Sequence, residues 1–353
     1  MRPAALDAAP ARVYWELTRA CDLACRHCRA SAEPRRDPDE LTTGECHAVL
    51  RDLATADPRP RVVFTGGDPL KRPDLLELVG TGTGLGLGVS VAPSASVALT
   101  GDVLRALKRA GVEAMSLSLD GSTPARHDGV RSVLGCFGWT LAAAQRVVAA
   151  GIPLQINTLV TADTERDLEE IAKLVARLGA ARWSLFFLVP VGRGRALRGP
   201  DPADAERILR WVARGAAGWP FTVTTTEAPH FRRIMLERMR SEGRTGEEIR
   251  RSAVARSFGI RDGNGIMFIA AGGDVTPSGF LPLAAGNVRR APALAIYRES
   301  PLFRLLRSPD ALHGRCGACE YRSLCGGSRA RAWAATGDVL GEDPLCPWQP
   351  AAA

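Results

Sequence analysis

Six short β-rich runs alternate with helical stretches in the first two-thirds of the chain, and this alternation restricts the possible folds most. The runs are nearly continuously apolar, and they span residues 12–18, 61–65, 88–93, 114–120, 153–160 and 183–189. Strands covered on both faces have this character. Six β-then-α units predict an α/β fold with a parallel sheet, as an open barrel or a doubly wound sheet. Active sites in both lie at the carboxyl ends of the strands.

Local signals mark the ends of several helices. Thr42 and Glu45 have the spacing of a capping box. Asp102 is expected to cap another helix, which ends at Gly111. The glycine-rich run 80–88 is predicted to be a flexible turn, because it lacks Gly-Lys-Ser/Thr and precedes a strand, whereas nucleotide-binding fingerprints follow one.

The character of the chain changes twice along its length. Residues 12–195 carry the β/α alternation, whereas residues 196–264 are charged and arginine-rich and are predicted to form a helical bridge. Residues 265–353 begin with a predicted β-hairpin around a Gly-Gly-Asp turn and end with a group of cysteines. We therefore predict three parts: a β/α domain, a bridge and a small C-terminal α+β domain.

Composition excludes several classes of protein. The net charge of +8 does not indicate a nucleic-acid partner, because no run of five basic residues occurs and only three of the 46 basic residues are lysines. The N-terminus lacks the apolar region of a signal peptide, and no run of 18 apolar residues predicts a membrane span. We expect a cytoplasmic chain, in which seven clustered cysteines are metal ligands and not disulfides.

The first cysteine group directly follows the first predicted strand. Cys21, Cys25 and Cys28 have the spacing C-x3-C-x2-C, and no fourth cysteine follows until Cys46. Three thiolates can hold three irons of a four-iron cluster and leave the fourth iron open, whereas electron-transfer clusters use four cysteines. A zinc site with His27 as fourth ligand, or simply buried thiols, are the alternatives.

The C-x3-C-x2-C loop after the first strand resembles the signature of the radical S-adenosylmethionine (radical SAM) enzymes. The resemblance implies a (β/α)6 partial TIM barrel and an open [4Fe-4S] cluster that binds S-adenosylmethionine. In this family, the reduced cluster cleaves the cofactor to a 5′-deoxyadenosyl radical, which abstracts a substrate hydrogen. His27 stands where the family often has an aromatic residue. "HCRA" with the later "ELTT" is similar to the subgroup that contains haem-biosynthesis and peptide-maturing members, including mycofactocin maturases.

Two further motifs resemble the cofactor-binding motifs of the family. "TGGDP" contains Gly66, Gly67 and Asp68 and resembles the segment that binds the amino group of S-adenosylmethionine, although glutamate is commoner than Asp68. Glycines here allow close backbone approach. Ser94, at the end of the third strand, is placed to meet the ribose or the carboxylate of the cofactor.

The later strand ends supply the remaining candidates. Ser118 is expected to contact the ribose, and Asp120 is a candidate catalytic residue that contacts substrate. Arg131 is expected to bind the cofactor carboxylate. Asn157 is expected to face the ribose or the substrate, and Val189 to line the adenine.

The second cysteine group has four members with the spacing C-x2-C-x5-C-x20-C: Cys316, Cys319, Cys325 and Cys346. Ligand count alone allows zinc or a four-iron cluster. The group resembles a truncated SPASM domain, the C-terminal extension that carries auxiliary [4Fe-4S] clusters in this family. Arg329 and Ser278 stand where a full SPASM domain has further cysteines. The resemblance therefore implies one closed auxiliary cluster, used for electron relay or structural support, with zinc as the alternative.

Three other residues were assigned from their context. Glu227 and His230 lie in the bridge, where His230 is a candidate second acid–base catalyst and a domain-linking hydrogen-bond network is the alternative. Cys46 falls on an apolar helical stripe and is predicted to be core.

The resemblance implies an enzyme that modifies a bound substrate by radical chemistry. A small carboxylated molecule such as a tetrapyrrole is the first expectation, because an arginine-rich pocket suits a polycarboxylate. Only about a dozen residues precede the first strand, which leaves no room for an added peptide-binding domain; a ribosomally made peptide is the alternative substrate. We expect a low-potential electron donor such as flavodoxin or ferredoxin as a partner. We expect no binding to nucleic acid or to a membrane. A non-enzymatic iron–sulfur redox sensor or scaffold is the alternative from another class.

Overall fold

The computed structural model describes residues 3–350 of the chain. Its strands, in chain order, are β1 (Arg12–Glu16), β2 (Arg61–Thr65), β3 (Gly88–Val91), β4 (Ala114–Ser118), β5 (Leu154–Val160), β6 (Arg182–Phe187), β7 (Thr222–Thr226), β8 (Arg261–Asp262), β9 (Gly265–Ile269), β10 (Asp274–Thr276) and β11 (Gly286–Asn287). All belong to one sheet in the order β11-β10-β9-β1-β2-β3-β4-β5-β6-β7, with β8 beside β9.

Helices follow most of the parallel strands. They are α1 (Pro3–Ala8), α2 (Thr43–Ala54), α3 (Leu75–Gly84), α4 (Gly101–Arg109), α5 (Pro124–Arg131), α6 (Cys136–Ala149), α7 (Leu168–Arg177), α8 (Pro202–Gly215), α9 (Phe231–Ser241), α10 (Gly246–Arg251), α11 (Ala253–Arg256), α12 (Ala293–Glu299), α13 (Pro301–Arg307), α14 (Gly314–Ala318) and α15 (Arg329–Thr336). Short 3-10 turns span Pro69–Lys71, Glu165–Asp167, Gly192–Ala196 and Pro309–Ala311. Within residues 3–350, no helix is long and apolar enough to cross a membrane.

Strands β1 to β7 are all parallel, and the sheet does not close. The α/β class with an open, partial-barrel sheet is therefore confirmed. The hairpin β9–β10 turns through Gly273, whose φ of +92° suits glycine, and this confirms the predicted Gly-Gly-Asp turn.

Alternation along each strand separates the core from the site. In β4, Met115 and Leu117 are buried in the main hydrophobic core, whereas Ser116 and Ser118 line a cavity on the other face. The predicted capping box of α2 is present, and Cys46 is buried in the core as expected.

Three local expectations need correction. Residues 80–84 belong to helix α3 and do not form a flexible turn, because this helix packs with Leu78, Val79 and Gly82 buried. The N-cap of α4 is Thr100, whose side chain accepts the Val103 N–H, so Asp102 lies in the first turn. The bridge includes a strand, β7, which extends the sheet next to β6.

The sheet also runs across the predicted division at residue 265. Strand β9 pairs in parallel with β1, so the C-terminal hairpin continues the sheet of the β/α region. The three-part division stays a prediction, although the C-terminal cysteines form a site of their own, as described below.

Candidate active site

A cavity of about 220 Å³ opens at the carboxyl ends of the parallel strands. Most of the predicted site residues line it: Cys21, Cys25, Cys28, Gly66, Gly67, Ser94, Ser118, Asp120, Arg131, Asn157 and Val189. These residues come from loops and strand ends more than 160 positions apart in the chain, and the parallel sheet brings them to one edge.

Each sulfur of the first cysteine group accepts at least one hydrogen bond. Leu23 N–H donates to Cys21 Sγ at 3.3 Å, and Ala32 N–H donates to Cys28 Sγ at 3.4 Å. Arg131 donates to Cys25 Sγ at 3.6 Å. N–H donors aimed at sulfur favour the thiolate form, which is the form that binds iron.

The loop that carries these cysteines is held by contacts from distant parts of the chain. Arg19 donates to Ala30 O at 2.9 Å. Arg193 donates from Nε to Cys25 O and from its backbone to Cys28 O, both at 3.0 Å. Arg193 follows β6, and its long-range role carries no signal in the sequence.

Gly66 and Gly67 permit close packing between the loop after β2 and the loop after β1. A Cβ atom on Gly66 would lie 2.3 Å from Thr18 O, and one on Gly67 would lie 2.4 Å from Ala20 O. The close approach predicted for a cofactor is thus already required by the protein backbone itself.

Asp68 lies outside the cavity lining, and its predicted contact with the cofactor is not supported. Its Oδ1 accepts from Leu70 N at 3.1 Å and Ser94 N at 3.4 Å, while Oδ2 accepts from Ser96 Oγ at 3.3 Å. Burial raises the pKa of Asp68 to about 6, against the effect of these hydrogen bonds. Asp68 therefore connects the loop after β2 to the loop after β3, outside the cavity lining.

Asp120 and Arg131 form a buried ion pair at the cavity, with Arg131 Nη2 2.5 Å from Asp120 Oδ2. Asp120 Oδ1 also accepts from Leu159 N at 2.7 Å. Burial opposes ionisation of Asp120, but the Arg131 charge outweighs it and lowers its pKa. Both side chains line the cavity as predicted, yet each is already engaged within the protein, and their proposed contacts stay predictions.

Both histidines that the sequence singled out, His27 and His230, have lowered pKa values. Burial and the Arg131 charge lower the pKa of His27 to about 4, and His27 lines the cavity beside the cysteines. His230 lies outside the cavity lining, fully buried near Asp343 and Arg331, and burial lowers its pKa to about 4. The predicted catalytic role of His230 therefore has no support from its position.

Glu227 belongs to a buried polar network, which was the alternative interpretation for this segment. Ser328 donates to its carboxyl group, and burial together with Asp262 raises the pKa of Glu227 well above its usual value. This network joins the bridge to helix α15 and does not reach the cavity.

The cavity is less basic than the sequence suggested. Within the described residues, Arg29 and Arg131 are the two arginines that line it, and Arg29 pairs with Glu16 at 3.1 Å. The Arg29 guanidinium also stacks on Phe268 at 4.4 Å. Much of the remaining wall is apolar and includes Phe186, Leu188 and Phe280, which the sequence did not single out.

The second cysteine group surrounds a separate small cavity of about 30 Å³, lined by Cys316, Cys319, Cys325 and Cys346. Tyr321 N–H donates to Cys319 Sγ, and Gly327 N–H donates to Cys325 Sγ, both at 3.4 Å. The four cysteines thus line one cavity and two of their sulfurs accept backbone N–H bonds, an arrangement that suits a closed cluster.

In residues 3–350, no three His, Cys, Asp or Glu side chains are arranged around a single metal ion.

A chain of contacts links the two sites. Arg331 forms an ion pair with Asp343 at 3.2 Å and donates to Phe187 O at 3.3 Å and Leu188 O at 3.4 Å. Asp343 N–H donates to Cys316 Sγ at 3.4 Å. The auxiliary site is thereby fixed to the end of β6, where Leu188 lines the larger cavity.

Comparison with known proteins gives consistent results. The Radical SAM superfamily model matches residues 15–175. The chain is 40% identical to the AdoMet-dependent heme synthase of Methanosarcina barkeri, over 98% of this chain and 99% of that protein. It is 31% identical to the mycofactocin maturase MftC of Mycobacterium tuberculosis, over 96% of this chain and 83% of that protein.

The fold matches a solved structure as well. Streptococcus suis SuiB bound to S-adenosylmethionine aligns with a TM-score of 0.76 at 18% identity, over 97% of this chain and 78% of that one. At this identity the match concerns the fold.

Proposed function

Because this chain belongs to the radical SAM superfamily and is a radical SAM enzyme, we propose that its substrate is a tetrapyrrole with carboxylate side chains. The observation that carries the proposal is the 40% identity to a heme synthase over nearly the full length of both proteins. The product would be a tetrapyrrole with a decarboxylated or trimmed side chain. The relatives are named as a heme synthase and a maturase, which are enzymes, and this argues against a redox sensor or scaffold.

The cavity suits a flat apolar body. Phe186, Phe280 and Leu188 provide apolar walls close to the cysteine loop. Because Arg29 and Arg131 are already paired with carboxylates, we place the charged side chains of the substrate toward the mouth of the cavity. Only the side chain that reacts would then enter the region near the cysteines.

The chain's residues have distinct tasks in this proposal. Cys21, Cys25 and Cys28 hold the open cluster, which with S-adenosylmethionine supplies a 5′-deoxyadenosyl radical. Gly67 and Ser94 would lie beside the cofactor, with Ser118, Asn157 and Val189 farther along the strand ends. The apolar walls exclude water, which protects a radical from side reactions.

The test uses anaerobically reconstituted enzyme, S-adenosylmethionine, a strong reductant and a porphyrin with carboxylate side chains. We expect 5′-deoxyadenosine, which carries the abstracted hydrogen, together with a porphyrin that has lost this hydrogen and carbon dioxide, while the remaining electron passes to an oxidised acceptor; both products are detected by mass spectrometry. The Cys25→Ala variant is the control and should form neither product. If the porphyrin neither binds at high micromolar concentration nor changes, the tetrapyrrole proposal is wrong.

A ribosomally made peptide is the second candidate, favoured by the 31% identity to a mycofactocin maturase. In that case, a precursor peptide would replace the porphyrin in the same assay. For either substrate, we propose a low-potential electron donor such as flavodoxin or ferredoxin.

A further inference from the structure

Three arginines lie beside the auxiliary cysteines without a carboxylate partner. Arg329 and Arg261 are buried, with 0% and 4% of their surface exposed, and Arg232 is partly buried. None of the three forms an ion pair within residues 3–350, although the chain has many ion pairs elsewhere. Buried charges are normally paired, so these three need a counter-charge.

The neutral contacts of these arginines leave their charge uncompensated. Arg261 donates to Gly259 O at 3.1 Å and Leu306 O at 3.0 Å, and Arg232 donates to Leu324 O at 3.4 Å. Arg261 also packs on the loop after Cys325, where a Cβ on Gly326 would lie 2.8 Å from its Nε. These carbonyl oxygens accept hydrogen bonds but carry no net charge, and Arg261 Nε is buried without a hydrogen-bond partner.

Arg329 makes the direct contact with a ligand. Its Nη1 donates to Val339 O at 3.0 Å and Gly341 O at 2.6 Å, and its Nε donates to Gly327 O at 3.3 Å. Its Nη2 donates to Cys316 Sγ at 3.6 Å. Arg329, which stands where the SPASM resemblance expects a cysteine, thus donates to three backbone carbonyls and to one ligand sulfur.

The acidic residues near this site do not neutralise the three arginines. Asp343 is paired with Arg331 at 3.2 Å. Glu342 is paired with Arg315 at 2.9 Å. Asp262, next to Arg261 in the chain, is buried and engaged with Glu227 and with Ala330 N at 3.0 Å, and it forms no ion pair with the three arginines. The group held by the four thiolates is therefore the remaining candidate for their counter-charge.

We propose that Arg232, Arg261 and Arg329 form the counter-charge of the auxiliary [4Fe-4S] cluster, and that Arg329, through Cys316, raises its reduction potential. A four-iron cluster with four thiolates gains one negative charge when it takes up one electron, and no bond to the protein changes. Buried positive charge and N–H donors to sulfur stabilise this reduced form. Arg329 is therefore a positioning and tuning residue, and the auxiliary cluster is suited to carry electrons.

The test measures the midpoint potential of the auxiliary cluster by redox titration followed by electron paramagnetic resonance, on the reconstituted enzyme. Arg329→Met removes the charge and the donor but keeps an apolar stem of similar shape. Arg290→Met is the control, since Arg290 belongs to the same C-terminal part of the chain but is exposed and does not line the cavity of the auxiliary cysteines. Iron and sulfide are counted in each protein, and no substrate is needed, so the result is independent of the tetrapyrrole proposal.

We expect Arg329→Met to keep its iron and to shift the auxiliary potential to a more negative value, while Arg290→Met leaves it unchanged. An unchanged potential in Arg329→Met with full iron would overturn the proposal, as would zinc in place of iron at this site. If Arg329→Met loses the cluster, the auxiliary potential is measured in Arg261→Met instead, and a shift of that potential to a more negative value supports the proposal. If Arg261→Met has an unchanged potential or also loses the cluster, these arginines have a purely structural role, and the proposed effect on the reduction potential is wrong.

Discussion

Replacing Gly192 with alanine should loosen the three-cysteine loop specifically. A Cβ on Gly192 would lie 2.5 Å from Arg29 O and 2.6 Å from Cys28 O, whereas ordinary contact begins at 3.4 Å. The segment would have to move by about 1 Å, because packed backbone cannot overlap. That shift would lengthen the two 3.0 Å hydrogen bonds from Arg193 beyond useful range.

The magnitude follows from two contributions. Gly192 has a φ of +53°, so alanine at this position destabilises the folded state by roughly 1–2 kcal/mol, because it must adopt the left-handed conformation. Loss of two hydrogen bonds adds about 2 kcal/mol. Gly151 is the matched control: its φ is +68° and nothing lies within 4 Å of its Cβ position, so Gly151→Ala pays the first cost alone. The difference of about 2 kcal/mol corresponds to roughly a 30-fold larger open population of the loop.

The assay is the rate of iron release to a chelator from anaerobically reconstituted protein. Gly192→Ala should release about four of its roughly eight irons about 30 times faster than Gly151→Ala, while the auxiliary irons leave at an unchanged rate in both. Equal release rates in the two variants would refute the reasoning, because the clash with the cysteine loop would then have no consequence.

Two further predictions concern stability and cluster content. Burial raises the pKa of Asp68 to about 6. Between about pH 4 and 6, the folded state therefore binds more protons than the unfolded state. The free energy of unfolding should fall by up to about 3 kcal/mol as pH rises through this window. Asp68→Asn should flatten this dependence in denaturant unfolding at several pH values, and an unchanged slope would contradict the raised pKa. Cys28→Ala should lower the iron content from about eight to about four per chain and abolish the spectral change that follows addition of S-adenosylmethionine. Cys346→Ala should also lower the iron content but should keep this spectral change. The reverse pattern would mean that the roles of the two sites are exchanged.

The periodic and local features of the sequence determined much of this protein. The six β-rich runs became β1 to β6, since nearly continuous apolar character within five to eight residues, repeated between helical stretches, is typical of buried parallel strands. The cysteine spacings predicted two groups, and each group lines one cavity. Ser94, Ser118 and Asn157 were placed correctly at the cavity, because strand ends of a parallel sheet meet at one edge.

The tertiary structure alone decided what those residues contact. Arg131 pairs with Asp120, Asp68 braces loops from behind, and His230 is buried away from the cavity. Strand β9 joins β1 across some 250 residues, and Arg329 reaches Cys316 by returning through a loop. No periodicity records such contacts, because they depend on how distant segments pack; a charged side chain in the sequence does not reveal whether its partner is a carboxylate, a carbonyl or a ligand sulfur.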